Sequence, residues 1–277
     1  MIGDMHCHSV YSDGFNTVYD LADYASRAGL THLALTDHDT MMGVPALQEE
    51  ASKKGITVIP GVECTCTDPQ RGRSVHMLCY GPKHPLQLQA LLNVTLRRRR
   101  DAKLAMTDLI SKKYPLTRKD VLKASAQSAS IYEVHVISPL AAMGYTPAVC
   151  GELLKELIGK QGSCYVPIQY PSVWEMVRVM REVGGTIVMA HPGQFDSMAL
   201  AHELAQAHLL DGVECFHPRN SIPVTNQALA LCREKDLLIT GGSDFHGMYS
   251  AKPHPLGFCT TSQDQLLRLL EAVASPN

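Results

Sequence analysis

The chain has 277 residues, of which 45% are hydrophobic and 19% charged, as in an ordinary globular domain. Its net charge is −2, from 25 basic and 27 acidic residues, which gives no electrostatic case for a general nucleic-acid binder. The nine cysteines form no CxxC pair, and neither a signal peptide nor a long apolar run is evident. We expect a reduced cytoplasmic protein with no membrane span and no disulfide framework.

Short apolar runs alternate with helical patterns along most of the chain. The predicted strands cover residues 3–8, 31–35, 57–63, 74–80, 186–190, 212–216 and 237–240. The helical patterns between or after them cover residues 18–28, 42–54, 172–183, 199–208, 224–234 and 263–274. This alternation predicts a parallel sheet or barrel. We favour an α/β barrel, because histidines and carboxylates follow the predicted strands and barrel active sites lie at strand C-termini.

Residues 85–170 interrupt this alternation with several helical patterns in a row. The patterns cover residues 88–113, 117–126, 134–143 and 148–160. They predict a helical insertion subdomain, residues 85–170, that caps the mouth of a barrel formed by residues 1–84 and 171–277. Four arginines at 97–100 lie on its first helix. We expect a solvated helix face there, with attraction of a phosphate as the alternative.

Histidines and carboxylates recur at equivalent places in the predicted barrel. His6 and His8 are two residues apart on a strand, so their side chains leave the same face. Asp244 and His246 repeat this spacing after a glycine pair. The other candidates are Asp13 in a Ser-Asp-Gly turn, His38, Glu63, His76 and His191. Burying so many imidazoles and carboxylates without cations would be costly, so the pattern predicts a metal site.

The ligand types restrict which metals would bind. Mixed imidazole and carboxylate ligands without thiolate suit manganese, iron, zinc or nickel, and disfavour calcium or magnesium alone. The number of ligands exceeds the needs of one ion. We therefore expect two or three divalent cations, manganese first with iron or zinc as alternatives, bridged by a carboxylate such as Glu63. Such a centre suits hydrolysis of phosphate esters and also of amides, so the ligands alone do not distinguish a phosphoesterase from an amidohydrolase.

At these residues the chain resembles the PHP (polymerase and histidinol phosphatase) family. The matching motifs are His6-Cys-His8-Ser, Ser12-Asp13-Gly14, Thr36-Asp37-His38-Asp39, Gly61-Val62-Glu63, His76, Ala190-His191-Pro192-Gly193 and Gly242-Ser243-Asp244-Phe245-His246. The resemblance implies a distorted (β/α)7 barrel with metals at its strand C-termini. The turn and the insertion resemble a subgroup of nucleoside 3′,5′-bisphosphate phosphatases, 5′–3′ exoribonucleases and cyclic-phosphate dihydrolases. Carried over by position, the nine candidates would bind metal and His135 would face the substrate phosphate.

Two positions depart from the pattern of relatives that act on nucleotides. Those relatives commonly have arginines where this chain has Val10 and Glu133. The missing arginines disfavour nucleoside bisphosphates and RNA as substrates. A cyclic phosphodiester of a sugar would need fewer arginines to bind its phosphate. Arg219, in the loop after His217, could bind the phosphate in place of the missing arginines, or it could be an ordinary surface arginine. We expect a small phosphorylated substrate, with nucleic acid limited to short oligonucleotides and no membrane partner, and the sequence leaves the oligomeric state open.

The expected reaction begins with a hydroxide bridging the cations, which attacks phosphorus in line while the cations neutralise the equatorial oxygens. His191, His246 or His217 would serve as general acid, and Asp13 would be needed for turnover. One rival is an amidohydrolase on a similar barrel, whose typical bridging lysine is missing from these motifs. The other is a non-catalytic PHP accessory module, as in some polymerases, although this chain has no polymerase-sized partner region.

Overall fold

A computed structural model describes residues 1–275, which form seven strands and ten helices. The strands are β1 (Gly3–Cys7), β2 (His32–Leu35), β3 (Thr57–Asp68), β4 (Arg73–Tyr80), β5 (Thr186–Met189), β6 (Gly212–Phe216) and β7 (Leu238–Gly241). The helices are α1 (Val18–Arg27), α2 (Val44–Ser52), α3 (Pro85–Ile110), α4 (Arg118–Ala124), α5 (Glu133–Ala142), α6 (Glu152–Ile158), α7 (Val173–Glu182), α8 (Met198–Gln206), α9 (Ile222–Lys235) and α10 (Gln263–Ala274). Every predicted strand is present, and β3 continues five residues beyond its predicted end at Glu63.

The strands form one sheet in the order β1 to β7. Neighbours are parallel except around β4, which is antiparallel to both β3 and β5. A parallel crossover needs a dozen or more residues, and only residues 69–72 join β3 to β4. Gly72, at φ 63°, completes this tight turn. Strand β4 therefore departs from the parallel arrangement that the alternation predicts, and it distorts the barrel.

The sheet closes between β1 and the segment that follows β7. The amide of Asp244 donates to the carbonyl of His6 at 2.9 Å, and the amide of His8 donates to the carbonyl of Phe245 at 2.9 Å. Farther down β1, Thr261 donates to Gly3 at 2.8 Å. The prediction of a distorted seven-stranded α/β barrel is confirmed.

The helices outside the barrel are amphipathic and bury one face on the sheet. Helix α1 begins with a capping box between Thr17 and Asp20, and packs Leu21 with Leu33 of β2 and Leu47 of α2. Each fully buried leucine contributes about 1.5–3 kcal/mol. Helices α7, α8 and α9 bury a second, larger apolar cluster against β3 to β6.

Helices α3 to α6 share a third hydrophobic cluster. Its members include Met106, Ile110, Val121, Ile137 and Leu157. These helices fall within residues 85–170, and the division of the chain at those residues stays a prediction. Within residues 1–275, no helix combines the length and the apolar character needed to cross a membrane.

Candidate active site

The strand ends and the loops after them bring the nine predicted metal-binding residues together at one mouth of the barrel. The nine are His6 on β1, His8 and Asp13 in the loop after it, His38 after β2, Glu63 on β3, His76 on β4, His191 after β5, and Asp244 and His246 after β7. Groups of their ligand atoms lie within 4.8 Å of one another. Three of the nine, His6, Glu63 and His76, lie within strands, and the other six lie in loops that follow strands.

Glu63 lies at the centre of this cluster and is buried. Its Oε2 atom is 3.1 Å from Nε2 of His6 and 3.1 Å from Nε2 of His8. The same oxygen is 3.2 Å from Nδ1 of His38. Three imidazole nitrogens, two from the end of β1 and one from the loop after β2, therefore converge on one carboxylate oxygen.

The second oxygen of Glu63 faces two further imidazoles. Its Oε1 atom is 2.7 Å from Nδ1 of His76 and 2.8 Å from Nε2 of His191. The antiparallel pairing of β3 and β4 makes the first contact, because Thr65 of β3 lies opposite His76. A carboxylate with both oxygens surrounded by imidazoles has the arrangement of a ligand that bridges cations.

Two aspartates complete the cluster on the side away from β4. Asp244 Oδ1 lies 3.2 Å from Nε2 of His8 and 3.5 Å from Nε2 of His6. Asp13 Oδ1 lies 3.4 Å from Nε2 of His246 and 3.7 Å from Nδ1 of His8. The cluster thus extends from His76 at one end to Asp13 at the other.

Glycines and strained backbone allow these loops to approach closely. A Cβ atom on Gly242 would lie 2.3 Å from Cβ of His6 and 2.8 Å from Oε1 of Glu214. His191 and Asp244 have positive φ angles of 23° and 52°, which are uncommon for residues other than glycine. Such strain is typical of functional sites, where the surrounding structure holds the backbone in place.

Burial and the neighbouring imidazoles set the charges of the cluster. Burial alone would raise the pKa of Glu63, but His38, His6 and His76 outweigh it and hold that pKa well below its ordinary value. The carboxyl of Asp13 behaves in the same way, with His246 and His38 opposing burial to lower its pKa. Burial lowers the pKa of His38 to about 3. Against burial, Asp244 and Glu63 raise the pKa of His8 to about 10. The carboxylates of Glu63 and Asp13 are therefore ionised, as metal binding requires, and a cation must displace a proton from His8 in order to bind there.

The donor geometry fits divalent cations. Two ligands on one cation, with bonds of about 2.0–2.2 Å, lie roughly 3–3.5 Å apart. The contacts of Glu63 with His6, His8 and His38 fall in this range. Within residues 1–275, Glu63 Oε2 and His38 Nδ1 are buried and lack a hydrogen-bond partner. Buried polar atoms without partners are costly, and a cation between them would satisfy both.

Glu214 on β6 belongs to this site, although the sequence analysis did not identify it. It is fully buried, and its Oε1 atom accepts a hydrogen bond from Nδ1 of His6 at 3.0 Å. His246 similarly directs Nδ1 to the carbonyl oxygen of Asp244 at 2.8 Å. A ring that donates through Nδ1 leaves the lone pair of Nε2 free for a cation. A buried glutamate within an otherwise apolar strand, Gly212–Phe216, was the available signal.

His135 and His217 have the opposite ring orientation. Nδ1 of His135 accepts from the amide of Tyr132 at 3.1 Å, and Nδ1 of His217 accepts from the amide of Arg219 at 3.0 Å. The neutral ring must then carry its proton on Nε2. Burial lowers the pKa of both rings, that of His135 to about 4. Both rings thus offer an N–H donor, which suits a phosphate oxygen and does not suit a cation.

Two cavities flank the cluster. One, of about 380 Å³, is lined by His217, Arg219 and His246 among others. The other, of about 290 Å³, is lined by Val10 and His135. The predicted substrate-binding residues are therefore split between two sides of the cluster.

Glu133 has a local partner that explains its charge. Its carboxylate lies 2.6 Å from Nζ of Lys103, which is 1% exposed. Burying an ammonium group without an opposite charge would be costly, so Lys103 requires an acidic neighbour. Glu133 is therefore one half of an ion pair whose lysine is buried.

The prediction of a solvated arginine run is wrong for one of its four members. Arg97, Arg98 and Arg100 are exposed, but Arg99 is buried. Arg99 Nη2 donates to Asp39 Oδ2 at 2.7 Å and therefore binds a carboxylate of the barrel rather than a phosphate. Local helix periodicity did not identify this partner, because it lies 60 residues earlier in the chain.

Comparisons with known proteins agree with this geometry. Residues 4–182 match the family model described as the PHP domain. The chain is 35% identical over 260 residues to a phosphoribosyl 1,2-cyclic phosphate 1,2-diphosphodiesterase of Eggerthella lenta, covering 93% of this chain and 98% of that protein. It is 29% identical over 252 residues to the 5′–3′ exoribonuclease Rnm of Salmonella typhimurium, covering 89% of this chain and 85% of that one.

A solved structure gives the same result for the fold. A putative metal-dependent phosphoesterase from Bifidobacterium adolescentis superposes with a TM-score of 0.88 at 29% identity, covering 98% of this chain and 96% of that one. The two relatives are named as enzymes that cleave phosphoester bonds. These similarities favour the phosphoesterase interpretation over both the amidohydrolase and the accessory-module alternatives.

Proposed function

Because the chain belongs to the PHP domain family and is a metal-dependent hydrolase of phosphoester bonds, we propose that it cleaves a small sugar phosphate. The preferred substrate is a cyclic phosphodiester that is opened to a monoester and then hydrolysed to free phosphate. The observation that carries this proposal is the carboxylate of Glu63, whose two oxygens face five imidazoles within 3.2 Å.

The metal ligands of this proposal are the nine clustered residues. They are His6, His8, Asp13, His38, Glu63, His76, His191, Asp244 and His246. They would hold two or three cations, manganese first and iron or zinc as alternatives, because imidazole and carboxylate donors suit these metals. Bound cations would neutralise charge on the phosphoryl oxygens and supply a deprotonated water near neutral pH. Glu214 would orient His6 by accepting its Nδ1 proton.

The protein side chains that touch substrate are His135 and His217. Each would donate its Nε2 proton to a phosphate oxygen and orient the reacting group. Of the three candidates for general acid, we favour His217 over His191 and His246. The Nε2 atoms of those two face Glu63 and Asp13 within 3.4 Å, as ligands would. Nε2 of His217 lies equally near a carboxylate, 3.4 Å from Oδ2 of Asp244. The choice therefore rests on its Nδ1, which accepts from the amide of Arg219, so that Nε2 carries a proton for the leaving oxygen.

This assignment predicts a leaving-group effect for His217→Gln. The variant is expected to lose about 10²- to 10⁴-fold in kcat toward an alkyl phosphate, whose leaving alkoxide needs a proton. It should lose far less toward p-nitrophenyl phosphate, which leaves as a stable phenolate. Steady-state phosphate release with both substrates measures the difference, and His202→Gln on the exposed face of α8 is the control. Equal losses on both substrates would contradict the role.

The preference for a sugar phosphate rests on what the flanking cavities contain. A volume of about 380 Å³ is near the lower end for small-molecule clefts, about 300–1,000 Å³, and suits a sugar phosphate better than an oligonucleotide. Val10 offers no charge, and Glu133 is paired with Lys103. The relative from Eggerthella lenta is named for a cyclic sugar phosphate. We also propose a cytoplasmic location, in keeping with unpaired cysteines.

A phosphate-release screen of the manganese-loaded protein tests the substrate class. The panel contains phosphoribosyl 1,2-cyclic phosphate, a nucleoside 3′,5′-bisphosphate, a short oligoribonucleotide and histidinol phosphate. We expect kcat/KM for the cyclic sugar phosphate to exceed the others by about tenfold or more. Higher activity on the bisphosphate or the oligoribonucleotide would show that Val10 and Glu133 do not restrict the substrate.

A further inference from the structure

The cavity of about 380 Å³ has two chemically different walls. Its inner wall is formed by Asp244 and His246 of the metal-binding cluster. Its outer wall carries Arg219, Lys252 and His254. A molecule that fills this cavity would therefore touch the reaction centre at one end and cationic side chains at the other.

The outer wall is held in place relative to the cluster. The turn that carries Arg219 is fixed by Asn220, whose Oδ1 atom accepts from the amide of Gly193 at 2.9 Å. Its Nδ2 atom donates to the carbonyl of Glu214, also at 2.9 Å. On the other loop, the ring of His254 stacks on Phe258 with centroids 4.4 Å apart. A backbone and a ring held in this way lose less entropy when a ligand binds, whereas the side chains of Arg219 and Lys252 are exposed.

The positive charges of the outer wall are not neutralised by the protein. Across residues 1–275, neither Arg219 nor Lys252 forms a salt bridge, whereas the buried Arg99 and Lys103 each do. Among the residues that line the cavity, Asp244 carries the only carboxylate, and it faces His6 and His8. In a chain of net charge −2, this is a local cationic surface beside the reaction centre.

The opposite cavity shows a different distribution of charge. Lys123 is its one cationic lysine or arginine in the described part of the chain, and Val10 and His135 are nearby. The buried ammonium group of Lys103 is already paired with Glu133. Positive charge that could hold a second anion is therefore concentrated in the cavity lined by Arg219 and is sparse in the cavity lined by His135.

We propose that Arg219, Lys252 and His254 form a second anion-binding site, which holds a non-reacting phosphate while the ester is cleaved at the metal cluster. This deepens the proposed function and rests on it: the substrate class becomes small sugar phosphates that carry two phosphorus groups. Arginine suits this task because its planar fork donates two parallel hydrogen bonds to a phosphate, and Lys252 adds a point charge. Binding through a remote group contributes to selectivity for the whole substrate.

The test compares two substrates that differ only at the distal phosphate. Metal-loaded protein is assayed with phosphoribosyl 1,2-cyclic phosphate and with ribosyl 1,2-cyclic phosphate, which lacks the distal group. The readout is the ratio of kcat/KM for the first substrate to that for the second. Arg219→Gln and Lys252→Gln are each expected to lower this ratio about tenfold, mainly through KM. Both side chains are exposed, so the variants should fold normally.

Lys123→Gln is the matched control, because it removes one exposed cation from the opposite cavity. Its ratio should stay within about twofold of the wild-type value. If Arg219→Gln and Lys252→Gln also leave the ratio unchanged, the second anion site is overturned.

Calorimetry separates this proposal from the proposed function. Metal-loaded protein is titrated with ribose 5-phosphate and with ribose. We expect ribose 5-phosphate to bind, and its affinity to fall about tenfold in Arg219→Gln and Lys252→Gln but not in Lys123→Gln. If this holds while no cyclic ester is hydrolysed, the reaction assignment fails and the anion site stands. No binding, or equal binding in all variants, overturns the anion site even if hydrolysis is observed.

Discussion

Replacing Glu63 with glutamine is expected to lower kcat/KM for phosphate release by about a thousandfold and to lower the bound metal. The amide keeps the size of the side chain but loses the charge that faces His6, His8 and His38 on one oxygen. Its NH₂ group would also point a donor where the cluster requires an acceptor. Steady-state kinetics measure the first effect, and elemental analysis of the purified variant measures the second.

The matched control is Glu152→Gln on helix α6. The Glu152 side chain is 80% exposed and pairs with Lys155 on the surface, so its replacement should change neither activity nor metal content. Full activity together with full metal occupancy in Glu63→Gln would contradict the assignment of Glu63 as the bridging ligand. Loss of activity with full metal would restrict its role to the reaction itself.

Replacing Arg99 with methionine is expected to destabilise the protein by about 3–5 kcal/mol, because it leaves the carboxylate of Asp39 buried without a partner. Arg99 Nη2 also donates to Thr65 Oγ1 at 2.9 Å, and its guanidinium lies 4.6 Å from the ring centroid of Tyr132. Tyr132 in turn donates to the carbonyl of His38 at 2.7 Å. We therefore expect metal affinity to fall about 10- to 100-fold as well. Urea unfolding and metal titration measure the two effects.

Arg97→Met provides a control on the same helix. Arg97 is exposed, so its replacement should change stability by no more than about 0.5 kcal/mol. The double variant Arg99→Met with Asp39→Asn removes both charges and should recover part of the lost stability. If Arg99→Met is as stable as Arg97→Met, the buried ion pair does not hold the insertion helix to the barrel.

The strands and the order of the metal-binding motifs could be read from the sequence because they depend on local patterns. His6 and His8 follow a period of two, and Asp244 with His246 repeats it. A family resemblance then places these short motifs on one barrel. The same local reasoning placed every strand but expected Glu63 at the end of β3, which in fact continues to Asp68.

Features that depend on distant partners were not predicted. The antiparallel direction of β4 follows from the short connection at residues 69–72, which the alternation of elements overlooked. Glu214 and Arg99 were missed because each is defined by a buried partner far along the chain, His6 and Asp39 respectively. The ring orientation of His217 depends on the amide of Arg219, which only three-dimensional geometry reveals.

The closure of the barrel between its first strand and the segment after its last strand has a consequence for synthesis of the protein. Asp4 accepts hydrogen bonds from the amide of Ser243 at 2.9 Å and from Gly257 at 2.8 Å, contacts that span 239 and 253 residues. Contacts of such separation form only after a large loss of chain entropy. If Asp244 and His246 bind metal as proposed, a ribosome-bound chain that ends before Asp244 cannot form the complete metal site, and full metal loading would follow the emergence of the last strand.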